Sequence, residues 1–278
     1  MKFGDEMIRR RELIKAAFGG VGALALSKAM AAPAAAPASS EPMLSLAQAI
    51  NKAGRQRMLS QRCAKAWLMK AMSVMPDKAA ELLQSSMQLF DAQMQELSRL
   101  QPTAEVQTAL VQLAADWQSY RAALLVPPSP DSAAQLYARN EAVLNAAHAA
   151  TLAYERSSGT QVGRLINVAG RQRMLSQRMA KFVFFARYGV EAKASVDALA
   201  VARDEFAKAL DLLKAAPQNT AQINNELALA DQQWFFFQNA LGEGNSPKSM
   251  QVIATTSERI LEQLNLVVGL YEQLATTS

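Results

Sequence analysis

Two segments of the chain carry arginines at a spacing that could bind an anion. Residues 50–62 read INKAGRQRMLSQR and residues 166–178 read INVAGRQRMLSQR. Twelve of these thirteen positions are identical at an offset of 116 residues. Guanidinium groups are planar forks that suit planar, oxygen-rich anions. Three arginines repeated in this way therefore indicate a shared task for the two segments.

The arginines of the motif point in different directions if the segment is helical. At about 100° per residue, Arg57 falls on the same face as Gly54 and Gln61, which is the side expected to be buried. Arg55 and Arg62 are seven residues apart and share another face. A purely solvent-facing helix does not need the same sequence twice, and a bundle core does not favour arginine. The motif helix is therefore expected to meet another copy of itself.

Paired motif helices would bring arginines from both copies together. Such like charges repel when they are partly buried, unless an anion lies between them. Gly54 and Gly170 lie in mid-helix, where glycine costs about 1 kcal/mol relative to alanine. Glycine at these positions lets a backbone or a ligand approach closely. The residues alone thus predict a small-anion site between the two motif helices.

A tandem duplication accounts for the rest of the chain. Trp117 and Tyr154 recur as Trp234 and Tyr271 at an offset of 117 residues. Each unit has about 115 residues and opens with the arginine motif. We predict a first unit over 43–157 and a second over 158–278.

Each unit divides into four amphipathic helical segments, separated by proline or glycine. Asp77 and Thr103 are predicted N-caps. The predicted segments are 43–75, 77–100, 103–125, 131–157, 159–188, 191–215, 219–241 and 247–275. Short connections between such helices favour an all-α fold of two tandem antiparallel four-helix bundles. The junction at 157–160 is either a loop or part of one long continuous helix.

The N-terminus is typical of an export signal. Arg10 and Arg11 precede an apolar run of eleven residues over 16–26, which is shorter than the roughly 20 that span a bilayer. The paired arginines resemble a twin-arginine signal, with an ordinary secretory signal as the alternative. We predict a signal over 1–31, cleaved after Ala31 or Ala36, and a flexible linker over 32–42. The mature protein is then expected to be soluble and periplasmic.

Composition excludes several classes of protein. The chain has one histidine and one cysteine, which argues against a disulfide framework, a zinc site or a repeated catalytic triad. The formal net charge of +5 falls to +2 without residues 1–31, so a nucleic-acid partner is not expected. No paired carboxylates recur between the units. We expect no enzyme activity, no cofactor and no metal.

The motif N-x-A-G-x-x-R-M-x-S-x-R resembles the P-box of NarX-type nitrate and nitrite sensors. It is closer still to the PilJ-type N-terminal domain of type IV pili methyl-accepting chemotaxis transducers, here in two copies. That resemblance implies periplasmic four-helix bundles that bind nitrate or nitrite between the first helices of paired bundles. By position, it implies Arg62 and Arg178 as the main anion ligands.

The same resemblance implies supporting roles for other motif residues. Arg57 and Arg173 match the second arginine of the P-box. Gly54 and Gly170 match its glycine, where the backbone approaches the ion. Arg55 and Arg171 match the PilJ-type form of the motif and not the sensor-kinase form.

The sequence also departs from such sensors. It shows no transmembrane helix and no kinase or chemoreceptor output region, so a signal would pass to a separate membrane sensor, chemoreceptor or transporter. Two arrangements remain open: the units pair within one chain, or they pair across a homodimer.

Other interpretations of these residues compete with the anion site. The arginines could form a salt-bridge network that only aligns helices, in a ligand-free interaction or scaffold protein of the periplasm. Met69, Met72 and Met75 could hold Cu(I) in a copper-handling bundle, although methionine is a common core filler. His148 is expected to be a helix-surface or packed residue, and Cys63 a small buried apolar residue or a lone thiol. The aromatic residues at 117 and 234–237 are expected in the core or at an interface.

Overall fold

The computed structural model describes residues 44–242 and 246–277. The helices in this part of the chain are α1 (Leu46–Ala71), α2 (Pro76–Ser98), α3 (Ala104–Leu124), α4 (Pro130–Ser158), α5 (Gln161–Tyr188), α6 (Ala192–Lys214), α7 (Ala221–Gly242) and α8 (Pro247–Thr277). These described residues contain no strand, which confirms the all-α prediction. The predicted segments agree with the helices to within a few residues. The predicted signal, with Arg10 and Arg11, and the predicted linker lie outside the described residues.

Local sequence explains where most helices begin. Ser45 forms a capping box with Gln48 at the start of α1. The Thr103 side chain accepts a hydrogen bond from the Val106 N–H at 3.2 Å, so Thr103 is the N-cap of α3, as predicted. The prediction for Asp77 is wrong. Pro76 is the first residue of α2, because its fixed φ and missing N–H suit that position, and Asp77 lies in the first turn.

Each repeat folds as a four-helix bundle. The first helix packs against the second and the fourth, and the fourth packs against the third. Aromatic pairs join the second helix to the third. Phe90 stacks on Trp117 with ring centroids 3.7 Å apart, and Phe206 meets Trp234 at 4.3 Å. These pairs lie at equivalent positions, so the duplication in sequence is also a duplication in packing.

A loop joins the two bundles. Gly159 follows α4 with φ of 62° and ends the helix, and Thr160 caps α5. The alternative of one continuous helix is therefore wrong. The left-handed conformation at position 159 suits glycine, because it has no Cβ.

The two repeats pair through their first helices within one chain. The described residues of both repeats belong to one compact unit, in which α1 packs along α5. Helix α8 runs antiparallel to α1, since it places Glu272 against Asn51 and Glu258 against Arg62. It also runs antiparallel to α5, so α1 and α5 are parallel to each other. The repeats are thus related by an approximate twofold axis along the α1–α5 contact.

No transmembrane segment was found among the described helices, since none combines the length and hydrophobicity that a bilayer crossing requires.

Candidate functional site

Two arginines lie at the centre of the α1–α5 contact. Arg57 and Arg173 are both fully buried, which is rare for charged side chains. Arg57 Nη2 donates to the backbone carbonyl of Asn167 on α5 at 3.2 Å. Arg173 Nη2 donates to the backbone carbonyl of Asn51 on α1 at 3.2 Å and to its side-chain oxygen at 2.8 Å. Each arginine therefore reaches across to the other repeat.

Glycines make room for the two guanidinium groups. A Cβ atom added at Gly170 would lie 3.5 Å from Nη2 of both Arg57 and Arg173. A Cβ added at Gly54 would lie only 3.1 Å from Nη2 of Arg57. The predicted close approach at both glycines is thus an approach of arginine heads to the helix backbone.

No acidic side chain of the described chain contacts either arginine directly, although the nearby carboxylates of Glu155 and Glu272 act to raise the pKa of Arg57 and Arg173, respectively. Among the residues that the structure describes, neither Arg57 nor Arg173 forms an ion pair with Asp or Glu. The Nε atoms of both are buried without a hydrogen-bond partner. Buried charges without a direct ion pair are costly, and each is expected to be paired or bound to an ion.

Burial and electrostatic repulsion lower the pKa of both guanidinium groups. Burial, with the nearby charge of Arg171, lowers the pKa of Arg57 to about 9. Burial also lowers the pKa of Arg173 well below its ordinary value, and the charges of Arg55 and Arg57 lower it further. An anion between the two groups would oppose both effects.

The Nη1 atoms of Arg57 and Arg173 have different partners in the two repeats. Arg57 Nη1 lies 3.2 Å from Nδ1 of His148, whereas Arg173 Nη1 donates to Oδ1 of Asn265 at 3.1 Å. His148 and Asn265 occupy equivalent positions on α4 and α8. Burial and the charge of Arg57 lower the pKa of His148 to about 4, so the imidazole is neutral at pH 7 and its Nδ1 accepts the hydrogen bond.

The arginines that end the motif are bound by carboxylates of the other repeat. Arg62 donates to both carboxylate oxygens of Glu258 on α8. Arg178 donates to the two oxygens of Glu141 on α4 at 3.1 and 2.8 Å. These bidentate pairs occupy the guanidinium faces that an anion would use.

A buried lysine completes each of these clusters. Lys65 contacts Glu258 at 2.5 Å, and Lys181 contacts Glu141 at 2.7 Å. Burial raises the pKa of Glu258, but attraction to Lys65 and Arg62 outweighs it and lowers that pKa to about 2. Burial lowers the pKa of Lys181 to about 7, against the attraction of Glu141. The two clusters connect the repeats on either side of the Arg57–Arg173 pair.

Arg55 and Arg171 lie at the edge of this region and are partly buried. Arg171 Nη2 donates to Glu205 on α6 at 2.8 Å. Burial lowers the pKa of Arg55, against the attraction of Glu272 and Glu96. These outer arginines therefore differ in their surroundings, although their sequence contexts are the same.

Sequence reasoning missed several of these groups. Lys65 and Lys181 extend the repeated motif, and Glu141 and Glu258 recur at the 117-residue offset of the tryptophans. That offset could have found the glutamates, because acidic residues repeated beside a repeated basic motif are natural partners. Asn51 and Asn167 are motif residues whose carbonyls receive the buried arginines, and nothing in the sequence predicts that.

The cysteine and the aromatic residues named in the sequence analysis lie outside this centre. Cys63 is fully buried, as expected, and burial raises the pKa of its thiol. Within the described ranges, no group of three or more His, Cys, Asp or Glu residues is placed to hold a metal. Trp234 and Phe237 are buried, whereas Phe235 and Phe236 are exposed.

This arrangement defines the protein as a tandem pair of four-helix bundles with a cationic centre at their contact. The model of the family PilJ, described as type IV pili methyl-accepting chemotaxis transducer N-term, matches residues 39–142 and 156–250. The chain belongs to this family, in two tandem copies as predicted, whereas the NarX-type likeness stays a prediction. No curated protein and no solved structure matched the chain.

Proposed function

We propose that this protein is a sensor-type binding module that holds one small oxyanion, nitrate or nitrite, between α1 and α5. The observation that carries the proposal is the Arg57–Arg173 pair, which is fully buried and forms no direct ion pair with a carboxylate of the described chain. Two guanidinium forks that converge from both repeats suit a planar, trigonal anion.

The main ligands are then Arg57 and Arg173, and we assign Arg62 and Arg178 a positioning role. Both terminal arginines are held by carboxylates, so an anion at either would have to displace Glu258 or Glu141. Such a displacement would break the bidentate hydrogen bonds of a largely buried carboxylate, which is costly. Arg57 and Arg173 require no such exchange.

One site per chain follows from this geometry. The approximate twofold axis passes between the two arginines, so the paired repeats form a single shared centre. The chain thus supplies both halves of a site that would otherwise need two subunits. A homodimer is not required for binding in this proposal.

The protein acts without catalysis and passes the binding event to a separate partner, such as a membrane sensor, a chemoreceptor or a transporter. Support comes from the family, whose description is that of a transducer domain. We further propose export to the periplasm through the twin-arginine signal at Arg10 and Arg11. Replacement of both arginines by lysine should keep the protein unprocessed in the cytoplasmic fraction; unchanged processing would overturn that route.

Calorimetric titration of the protein with nitrate and nitrite, in chloride-free buffer, tests the site. We expect saturable binding of one anion per chain, lost in Arg57→Gln and in Arg173→Gln. Arg62→Gln serves as the comparison: it removes a positioning residue and should weaken binding much less than Arg57→Gln does. No heat with either anion would overturn the proposal. Loss in Arg62→Gln, with binding retained in Arg57→Gln, would instead restore the original assignment from the motif.

A further inference from the structure

A cavity of about 370 Å³ opens beside Arg57, on one side of the paired helices. Its wall comes from α1, α4, α5 and α6 and includes Arg57, His148, Arg171, Arg178, Ala198 and Glu205. Arg173 is not part of this wall. The volume lies in the range of small-molecule sites, which is roughly 300–1,000 Å³, and far exceeds that of one nitrate ion.

The equivalent place on the other side of the twofold axis is built differently. Ala198 on α6 corresponds to Leu82 on α2 at the 116-residue offset, so three further carbon atoms occupy that side. Asn145 corresponds to Glu262, which adds a negative charge there. The nearby cavity on that side is lined by Leu82, Glu258 and Glu262, among others, and not by Arg173. At these two positions the second side is bulkier and carries an extra carboxylate, and the cavity there is smaller, about 260 Å³.

The polar end of the first cavity has one arginine without a direct ion pair. Arg171 is paired with Glu205. Arg178 is likewise held by a glutamate. Arg57 is the wall arginine with no acidic partner in the described chain, and its Nε is buried without a hydrogen bond. A single negative charge is therefore what this end of the cavity can accept.

The rest of the wall is largely apolar. Leu144, Met174, Leu175 and Ala202 are buried residues whose side chains line the cavity. An inorganic anion alone would leave this surface without a partner. A ligand with a charged end and an apolar body would cover both parts of the wall.

We propose that this cavity binds a small organic monocarboxylate, with its carboxylate at Arg57 and His148 and its apolar body against the α4–α5–α6 wall. The inference goes beyond the oxyanion site, with which it shares only Arg57. The duplicated protein has thus kept one symmetric centre and developed a second, asymmetric site on one side.

The test uses benzoate and butyrate as probes in calorimetric titrations. Ala198→Leu copies the residue of the equivalent position and fills the cavity. It should weaken benzoate binding roughly tenfold or more, with nitrate affinity unchanged. The matched control, Ala200→Leu, adds the same side chain at an exposed position of α6 and should leave both ligands unaffected. Benzoate binding that is equal in Ala198→Leu and wild type would overturn the inference.

His148 supplies a readout that needs no substitution, because it is the only histidine of the chain. In protein purified without a histidine tag, benzoate should shift the single imidazole signal in NMR spectra saturably. An unmoved signal, or no saturable binding of either carboxylate, would reject the site. Because nitrate is titrated separately, failure of one site leaves the other measurable.

Discussion

Arg57 and Arg173 should repel each other in the empty protein and cooperate when an anion is bound. This sign change can be measured with a double-mutant cycle of Arg57→Met and Arg173→Met. Methionine removes the charge while keeping an unbranched side chain that fills much of the same space. The cycle isolates the interaction between the two residues from the hydrogen bonds that each loses separately.

The structure sets the magnitude. Both Nη2 atoms lie 3.5 Å from one point beside Gly170, so they are separated by at most twice that distance, about 7 Å. At that separation, with an effective dielectric constant of about 20, two unit charges repel by about 2 kcal/mol. In anion-free buffer each single variant removes this repulsion completely, and the double variant also removes it only once. The increases in unfolding free energy of the two single variants should therefore add up to about 2 kcal/mol more than the increase of the double variant.

Saturating nitrate should reverse the sign. Either single substitution then removes the bound anion, which stabilises the wild type by about 2.7 kcal/mol at a concentration of 100 Kd. The summed losses of the two single variants should exceed the loss of the double variant. Urea unfolding at constant ionic strength gives the free energies. A control cycle of Arg57→Met with Lys193→Met, an exposed residue paired with Asp197, should show no coupling. Equal coupling with and without nitrate would refute the reasoning.

Three further outcomes are expected. Glu258→Gln should lower the free energy of unfolding by roughly 3 kcal/mol at pH 7, because it leaves Lys65 buried without its carboxylate. The stabilisation by Glu258 is complete above its unfolded pKa near 4.5 and is lost as the pH falls through its folded pKa of about 2. Urea unfolding at a series of pH values measures this loss. Gly54→Ala should weaken nitrate binding in calorimetry, because the added Cβ crowds the guanidinium group of Arg57. The same change should favour the helix by about 1 kcal/mol through helix propensity. Equal nitrate affinity in Gly54→Ala and wild type would contradict the crowding at Arg57. Gly159→Ala should lower the unfolding free energy by about 1 kcal/mol, since alanine is strained at positive φ; no loss in thermal unfolding would argue against the observed loop.

Much of the fold could be predicted from the positions of proline and glycine in the sequence. Proline and glycine end helices for local reasons, so the eight segments were found without tertiary information. Asp77 was misassigned because an acidic side chain and a preceding proline compete for the start of a helix, and Pro76 begins α2 one residue earlier. The loop at Gly159 depends on one φ angle, which the sequence allows but does not require.

The candidate site was predictable in part. Helical periodicity placed Arg57 on the buried face, and the repeat predicted that two motif helices meet. The motif could not tell which arginines lack an acidic partner, because Glu141 and Glu258 come from helices that are distant in sequence and belong to the opposite repeat. The 116-residue offset pairs Ala198 with Leu82 in the sequence, but only the structure shows that Ala198 lines a cavity.

The most direct test of the anion site is a crystal structure of the protein grown in nitrate without chloride. We predict trigonal density between Arg57 and Arg173, in contact with both guanidinium groups, with the Arg62–Glu258 and Arg178–Glu141 pairs intact. Nitrate bound at Arg62 or Arg178 with those pairs broken, or a centre without an anion at saturating nitrate, would contradict it.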